Sequence, residues 1–289
     1  MSRSAELGEA REVHLQQGTV RYRERGSGTP IVFVHGVLVN GDLWRKVVSE
    51  LGGDVRCLTP DWPLGAHEVA LDPDADLSSP GMARLIADFL AALGLEDVTL
   101  VGNDTGGAFC QLVISEHPER IGRLVLTNCD AFENFPPPMA RPLLWAGRIA
   151  PVAFLLARLL RGAIVQRLFA WSVAKRPVDR AILDSYFGPA AENASIRRDV
   201  RKVLRGIAPK YTLAAAAKFG EFQRPVLIAW APEDRLLFAW KYAERLRDAF
   251  PNARLERIDD SLTFVPEDQP RRLAELIGGF VRETTPAAA

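Results

Sequence analysis

Histidine is scarce in this 289-residue chain: His14, His35, His67 and His117 are the only four, and none lies beyond residue 117. The C-terminal segments therefore offer no imidazole to serve as a base. Cysteine is nearly as rare. Cys57, Cys110 and Cys129 form no CxxC pair and no framework spacing, which argues against disulfides and against a zinc site. Cys57 in an apolar strand and Cys110 in a helix read as small buried hydrophobes. Net charge is absent as well, with 36 Lys plus Arg against 36 Asp plus Glu. No overall field of either sign then favours nucleic acid or an anionic membrane. The first residues, MSRSAELGEAREVHLQQ, are charged and lack the apolar core of a secretory signal. The most apolar zone, Leu143 to Trp171, is broken by Arg148, Arg158, Arg161 and Arg167. Its longest charge-free run, Ile149 to Ala157, is too short to cross a bilayer. The expectation is a cytoplasmic protein with no cofactor, no metal and no membrane segment; its oligomeric state is not readable.

Hydrophobic residues make up 48% and charged residues 25%, which suits a large globular core. Thr19 to Glu24 alternates like a half-exposed strand, and Ile31 to Val34 is a short, wholly apolar run like a buried parallel strand. Strand and helix patterns then alternate. Asp42 to Leu51 is helical, Val55 to Leu58 a strand, Pro80 to Leu93 a helix ended by Gly94, and Val98 to Val101 a strand. Gly106 to Glu116 is a helix and Arg123 to Thr127 a strand. The alternation stops between about 131 and 222, where amphipathic helical stretches follow Pro136-Pro137-Pro138 without a convincing strand. It resumes with Val226 to Trp230, Phe238 to Phe250, Ala253 to Ile258 and Gln269 to Val281. This pattern predicts an α/β fold with a mostly parallel sheet, helices on both faces and a helical insertion. The core spans 18–130 and 223–283, the helical cap 131–222, and the closing Thr-Thr-Pro-Ala-Ala-Ala run should fray.

The most informative segment is Val98 to Ala108, VTLVGNDTGGA. An apolar strand runs through Gly102-x-Asp104-x-Gly106 directly into a helix, the pattern of a nucleophile elbow with Asp in place of Ser. Glycines are needed where a Cβ would collide with neighbouring backbone. A carboxylate held beside a helix N-terminus is stabilised in its ionised form and can attack carbon. The plainer reading is a Gly-rich turn with Asp104 as helix N-cap.

Further segments carry a resemblance. His35-Gly36 after a buried strand, the elbow at Asp104, the strand ending before Asp234 and the run Phe264 to Pro270 (FVPEDQP) resemble the α/β-hydrolase superfamily. An Asp elbow further resembles its haloalkane dehalogenase and epoxide hydrolase branch. The match covers roughly residues 18–130 and 223–283. The resemblance implies backbone N–H groups of Val37 and Thr105 as an oxyanion hole, Asp234 as the acid of a triad, and a structural His35, with a place beside Tyr186 and Tyr211 in the substrate pocket as its alternative.

The chain also departs from that pattern. Thr263 stands directly before Phe264, where the family places its catalytic histidine, and threonine cannot activate water near neutral pH. The halide-binding Trp and Asn positions hold Thr105 and Val37. Tyr186 and Tyr211 are the only tyrosines in the cap, matching in number the pair that epoxide hydrolases use as acids. His67, in DWPLGAH after a strand end, is the one imidazole placed to compensate, with surface exposure as the alternative. The expected function is a hydrolase-like enzyme acting on a mostly apolar small molecule, with Asp104 as nucleophile or general base. The alternatives are a lyase, isomerase or cyclase using Asp104 for proton transfer, and a non-catalytic binder.

Overall fold

Strands read as wholly apolar because both faces of the sheet are covered. In the computed structural model, described for residues 3–285, the strands are β1 (Glu9–Leu15), β2 (Gly18–Arg25), β3 (Thr29–Val34), β4 (Val55–Pro60), β5 (Val98–Asp104), β6 (Ile121–Cys129), β7 (Val226–Trp230) and β8 (Ala253–Arg257). They form one sheet in the order β1-β2-β4-β3-β5-β6-β7-β8. From β4 to β8 every pairing is parallel, whereas β1 and β2 run antiparallel at one edge. Successive side chains alternate between faces. Val32 and Val34 join the cluster containing α2 (Ser79–Ala92) and α3 (Thr105–Glu116), while Ile31 and Phe33 join that of α1 (Arg45–Glu50) and α12 (Pro270–Thr284).

β1 is an element that the sequence pattern does not reveal. Its seven residues, EAREVHL, are mostly exposed and pair with β2 from Glu9↔Glu24 to Leu15↔Gly18. An edge strand has no apolar face to conceal, so it carries charges like a tail. Of the closing run expected to fray, Thr284 is held: its hydroxyl donates to the Phe280 carbonyl at 2.6 Å. Residues 286–289 of that run lie outside the described residues, as do residues 1 and 2.

Between β6 and β7 the chain forms α4 (Arg141–Ala146), α5 (Ala150–Leu159), α6 (Ala163–Val173), α7 (Arg180–Glu192), α8 (Ala194–Gly206) and α9 (Pro209–Ala216). α10 (Trp240–Ala249) and the short α11 (Val265–Asp268) complete the helices. The insertion does not turn its apolar side chains uniformly inward. Trp145, Ile164, Leu168 and Trp171 are 53%, 76%, 60% and 78% exposed. Simple amphipathic packing, with arginines outward and leucines inward, thus describes only its inner side.

The connections set where a site belongs. β3 leads through α1 to β4 on one side, and β4 leads through α2 to β5 on the other side of β3. The carboxyl ends of β3 and β5 therefore border a topological switch point, the usual crevice of open α/β sheets. Asn103, next to the last residue of β5, ties this edge together. Its side-chain amide lies 2.8 Å from Thr127 Oγ1, 3.2 Å from the Asn128 carbonyl and 2.8 Å from the Thr263 carbonyl. Replacing Asn103 with Leu leaves buried acceptors unpaired, and should lower unfolding free energy by about 2–4 kcal/mol. Urea denaturation of Asn103→Leu against wild type measures this; an unchanged midpoint contradicts it.

Candidate functional site

Four strand ends deliver side chains to one edge of the sheet. Asp104 ends β5, Asp130 follows β6, Asp234 follows β7, and Thr263 follows β8. Asp104 has φ 54° and ψ −134°, a conformation that costs an L-residue on the order of 1–3 kcal/mol. Its side chain makes no capping bond to the next turn of α3, so it is not an ordinary N-cap. Glycines on both sides make room. A Cβ on Gly36 would land on the Asp104 carboxylate, and one on Gly106 would strike the carbonyls of Val34 and His35.

The carboxylates form a connected group. Thr263 Oγ1 donates to Asp234 Oδ2 at 2.7 Å, and the Asn128 amide donates to the same oxygen at 3.3 Å. The Leu237 backbone N–H holds Asp234 Oδ1 at 3.2 Å. Asp234 thus engages Thr263 through the bond by which a triad acid would orient a histidine. Asp104 keeps part of its surface accessible, yet protein crowds its carboxyl. Burial pushes its pKa up to about 7, the Thr105 N–H opposes the shift and the charge of Asp234 adds to it. The Thr105 hydroxyl lies 3.5 Å from Asp104 Oδ1.

Asp130 was not apparent in the sequence. It is buried, its Oδ1 has no hydrogen-bond partner, and its backbone N–H donates to the Asp104 carbonyl at 3.3 Å. Burial drives its carboxyl well above the usual range, the charge of Asp104 adds to this, and a bond from Thr105 opposes it. The available signal was an acid directly after a strand with an apolar centre, Leu124 to Leu126, neighbouring the elbow.

The histidines lie elsewhere. His67 is buried rather than exposed. Its Nε2 contacts Asp199 Oδ2 of α8 at 3.3 Å and its Nδ1 accepts from the Gly65 N–H at 3.4 Å. Both ring nitrogens are engaged, so His67 clamps the insertion to the core instead of assisting Asp104. His35 donates from Nδ1 to the Gly36 carbonyl at 2.9 Å and accepts the Trp62 N–H on Nε2 at 3.0 Å. Burial lowers its pKa to about 3, so it remains neutral and braces the ends of β3 and β4 without lining a pocket.

The tyrosines do not form a pair. Tyr186 on α7 belongs to the apolar cluster on the α1 and α12 face, while Tyr211 on α9 packs against the opposite cluster. The Tyr186 hydroxyl has no partner, and the charges that act on it are those of Glu267, Arg45 and Asp42. Two acids converging on one epoxide oxygen are thus not assembled.

Above the sheet edge lies an apolar cavity of about 60 Å³ between the core loop at Val37 and Leu38 and the insertion, walled by Leu156, Leu160, Tyr186 and Phe187 among others. Asp104 is not among its walls, contrary to a site opening directly beneath the cap. None of Arg148, Arg158, Arg161 and Arg167 lines it. Small ligand sites usually occupy about 300–1,000 Å³, so a ligand of that size would fit this cavity only if the insertion helices shifted. The Val37 N–H takes no hydrogen bond within the described residues, leaving one donor of the expected oxyanion hole open, while the Thr105 N–H is spent on Asp104. Among the described residues no group of three or more His, Cys, Asp or Glu could hold a metal ion, and no helix is long and apolar enough to cross a membrane. The three cysteines are free and buried.

Known proteins share this fold. The family model described as alpha/beta hydrolase fold matches residues 29–270. Haloalkane dehalogenase 2 of Mycobacterium bovis is 27% identical over 285 residues, covering 93% of each chain. A cis-3-alkyl-4-alkyloxetan-2-one decarboxylase of Shewanella oneidensis is 28% identical over 283 residues, covering 92% of this chain and 86% of its own. Among solved structures, a haloalkane dehalogenase from Agrobacterium tumefaciens superposes with a TM-score of 0.80 at 22% identity, covering 98% of this chain and all of the other. The chain therefore belongs to the α/β-hydrolase fold family, as an enzyme similar to its haloalkane dehalogenase branch.

Proposed function

We propose that this enzyme acts on a mostly apolar small molecule by proton transfer through Asp104, in a lyase-, isomerase- or cyclase-type reaction that forms no ester to be hydrolysed. The observation that carries this reading is a carboxyl titrating near 7, grouped with Asp130 and Asp234, with no imidazole or cation hydrogen-bonded to it. A general base works best when its pKa lies near the operating pH. Neighbouring carboxylates pushed apart in pKa are a common source of such groups. Asp104 takes a proton from a carbon or hydroxyl of the substrate and returns it to the product. The Val37 N–H faces no competing acceptor and serves developing oxyanion charge. Thr263 and Asp234 support the edge but supply no base. The apolar lining of the cavity favours an apolar substrate. The relative named as an alkyl-oxetanone decarboxylase has a non-hydrolytic activity in its name, which fits a departure from hydrolysis in this similarity range.

A second reading keeps Asp104 as nucleophile, favoured by its strained elbow and by the dehalogenase relatives. The two separate on reactive probes. With 5-nitrobenzisoxazole, whose opening needs only proton abstraction from carbon, turnover should rise with pH through about 7. Asp104→Asn should lower it by at least about 100-fold. With 1-bromohexane or 1,2-epoxyhexane, intact mass should show no adduct. A stable ester on the Asp104 peptide, released on introducing Thr263→His, would reject proton transfer in favour of nucleophilic attack.

The same shift makes a prediction for stability. The folded pKa of Asp104 is raised from 3.8 to about 7. Folding thus binds a proton more tightly than unfolding does, and the associated stability is complete below pH 4 and lost as pH rises through 7. Asp104→Asn, which cannot ionise, should match wild type near pH 4 and exceed it by roughly 2–4 kcal/mol at pH 8. Chemical denaturation at the two pH values measures the difference, and a constant offset at both would contradict it.

A further inference from the structure

The overall charge balance conceals a local segregation. Between residues 134 and 178 there is no Asp or Glu, yet there are seven cations: Arg141, Arg148, Arg158, Arg161, Arg167, Lys175 and Arg176. Three of these are matched by acids from elsewhere, Arg161 by Glu192, Lys175 by Glu233 and Asp260, and Arg176 by Asp260. Arg141 and Arg148 bond only to backbone carbonyls, Arg158 lies over the Phe154 ring, and Arg167 has no partner among the described residues. From α8, Arg201 and Arg205 add two further guanidiniums at the Arg148 carbonyl.

Interspersed with these cations is an apolar outer surface. α5 exposes Phe154, Leu155 and Leu159, and α6 exposes Ile164, Leu168 and Trp171, while Ala153, Ala157 and Ala170 face inward. A helix facing only water presents polar side chains on that side. Large apolar and tryptophan side chains mixed with unopposed guanidiniums match the interface of an anionic bilayer, where tryptophan takes the headgroup level and arginine the phosphates. A second copy of this chain fits the face less well. A two-fold contact would set the unopposed cations Arg158 and Arg167 against their own copies.

We propose that α4, α5 and α6 form a docking surface for an anionic phospholipid membrane. The inner side of α4 and α5 walls the apolar cavity, through Leu144, Ala153, Leu156 and Ala157. Lipid contact thus acts on the elements that must move to admit a substrate, and places an apolar substrate's entry at the bilayer. This docking does not depend on the chemistry assigned to Asp104, because it is read by binding alone.

The test uses the full chain with vesicles of phosphatidylcholine, with and without 30 mol% (about one lipid in three) phosphatidylglycerol. Wild type should co-sediment with the anionic vesicles at least about tenfold more strongly than with the zwitterionic ones, and lose the excess at high salt. Arg158→Glu/Arg167→Glu should weaken binding at least about tenfold. Trp44, Trp62 and Trp230 are fully buried and Trp240 is half-buried at the start of α10, away from α4 to α6, so acyl-brominated lipid should quench mainly Trp145 and Trp171, and Trp145→Ser/Trp171→Ser should remove that quenching. Both variants alter exposed side chains, and matching circular dichroism and unfolding midpoints keep a loss of binding attributable to the surface. No vesicle association at low salt, equal binding to both compositions, or a stable dimer abolished by the tryptophan substitutions would each overturn the proposal.

Discussion

At Asp104 the backbone passes from strand to helix within one residue, at φ 54°. That reversal is possible only because glycine stands wherever another chain segment must come close. A Cβ at Gly102 would meet Gly107 and Cys110, one at Gly106 the carbonyls ending β3, and one at Gly36 the carboxylate itself. Leu38 and Phe132, in the loops after β3 and β6, also have positive φ. Strain concentrated at one edge of an otherwise regular sheet has to be held by its surroundings. The parallel pairing of β3, β5 and β6 and the three-way reach of Asn103 provide that hold.

The same constraint sets the electrostatics. Fixing Asp104 at the switch point brings it beside strand ends that carry Asp130 and Asp234, while the nearest donors are a backbone N–H and hydroxyls rather than cations. Buried and without counter-charge, the carboxyls of Asp104 and Asp130 hold protons that isolated ones would release. A histidine at position 263 would have supplied a proton acceptor and a positive charge to this group. Threonine keeps the bond to Asp234 and supplies neither, so the loss of one imidazole raises the proton affinity of the elbow as well as removing the water-activating base. The elbow geometry and the altered chemistry thus coexist without contradiction.

The elements that were legible in the sequence share one physical property, burial on both faces. Ile31 to Val34 and Val226 to Trp230 are readable because nothing polar is tolerated there. β1 was not readable because its charged residues face solvent on an edge. The elbow, Asp234 and the position of Thr263 follow from local pattern and family resemblance. Asp130 did not, since an acid after a strand looks like any turn residue until its unpaired buried oxygen is seen. His67 was misplaced because its partner, Asp199, lies 132 positions away on an insertion helix, a distance across which residue spacing carries no information. Tyr186 and Tyr211 were grouped by number, and they pack into different apolar clusters.

Composition misled in another way. A total of 36 cations and 36 anions argues against any directional field only if the charges are mixed. Here the stretch from α4 to α6 holds cations and no acid, so neutrality describes the sum and not the surface. Arg148 shows how the two levels connect. Its guanidinium caps the carbonyls of Leu204 and Ile207 at the end of α8, fastening the apolar helices to the element that His67 clamps through Asp199. The insertion is thus anchored at α8 and presents its apolar, cationic side outward at α5 and α6. The exposed leucines and tryptophans that make the insertion look poorly packed therefore share one outer side with guanidiniums that no acid opposes.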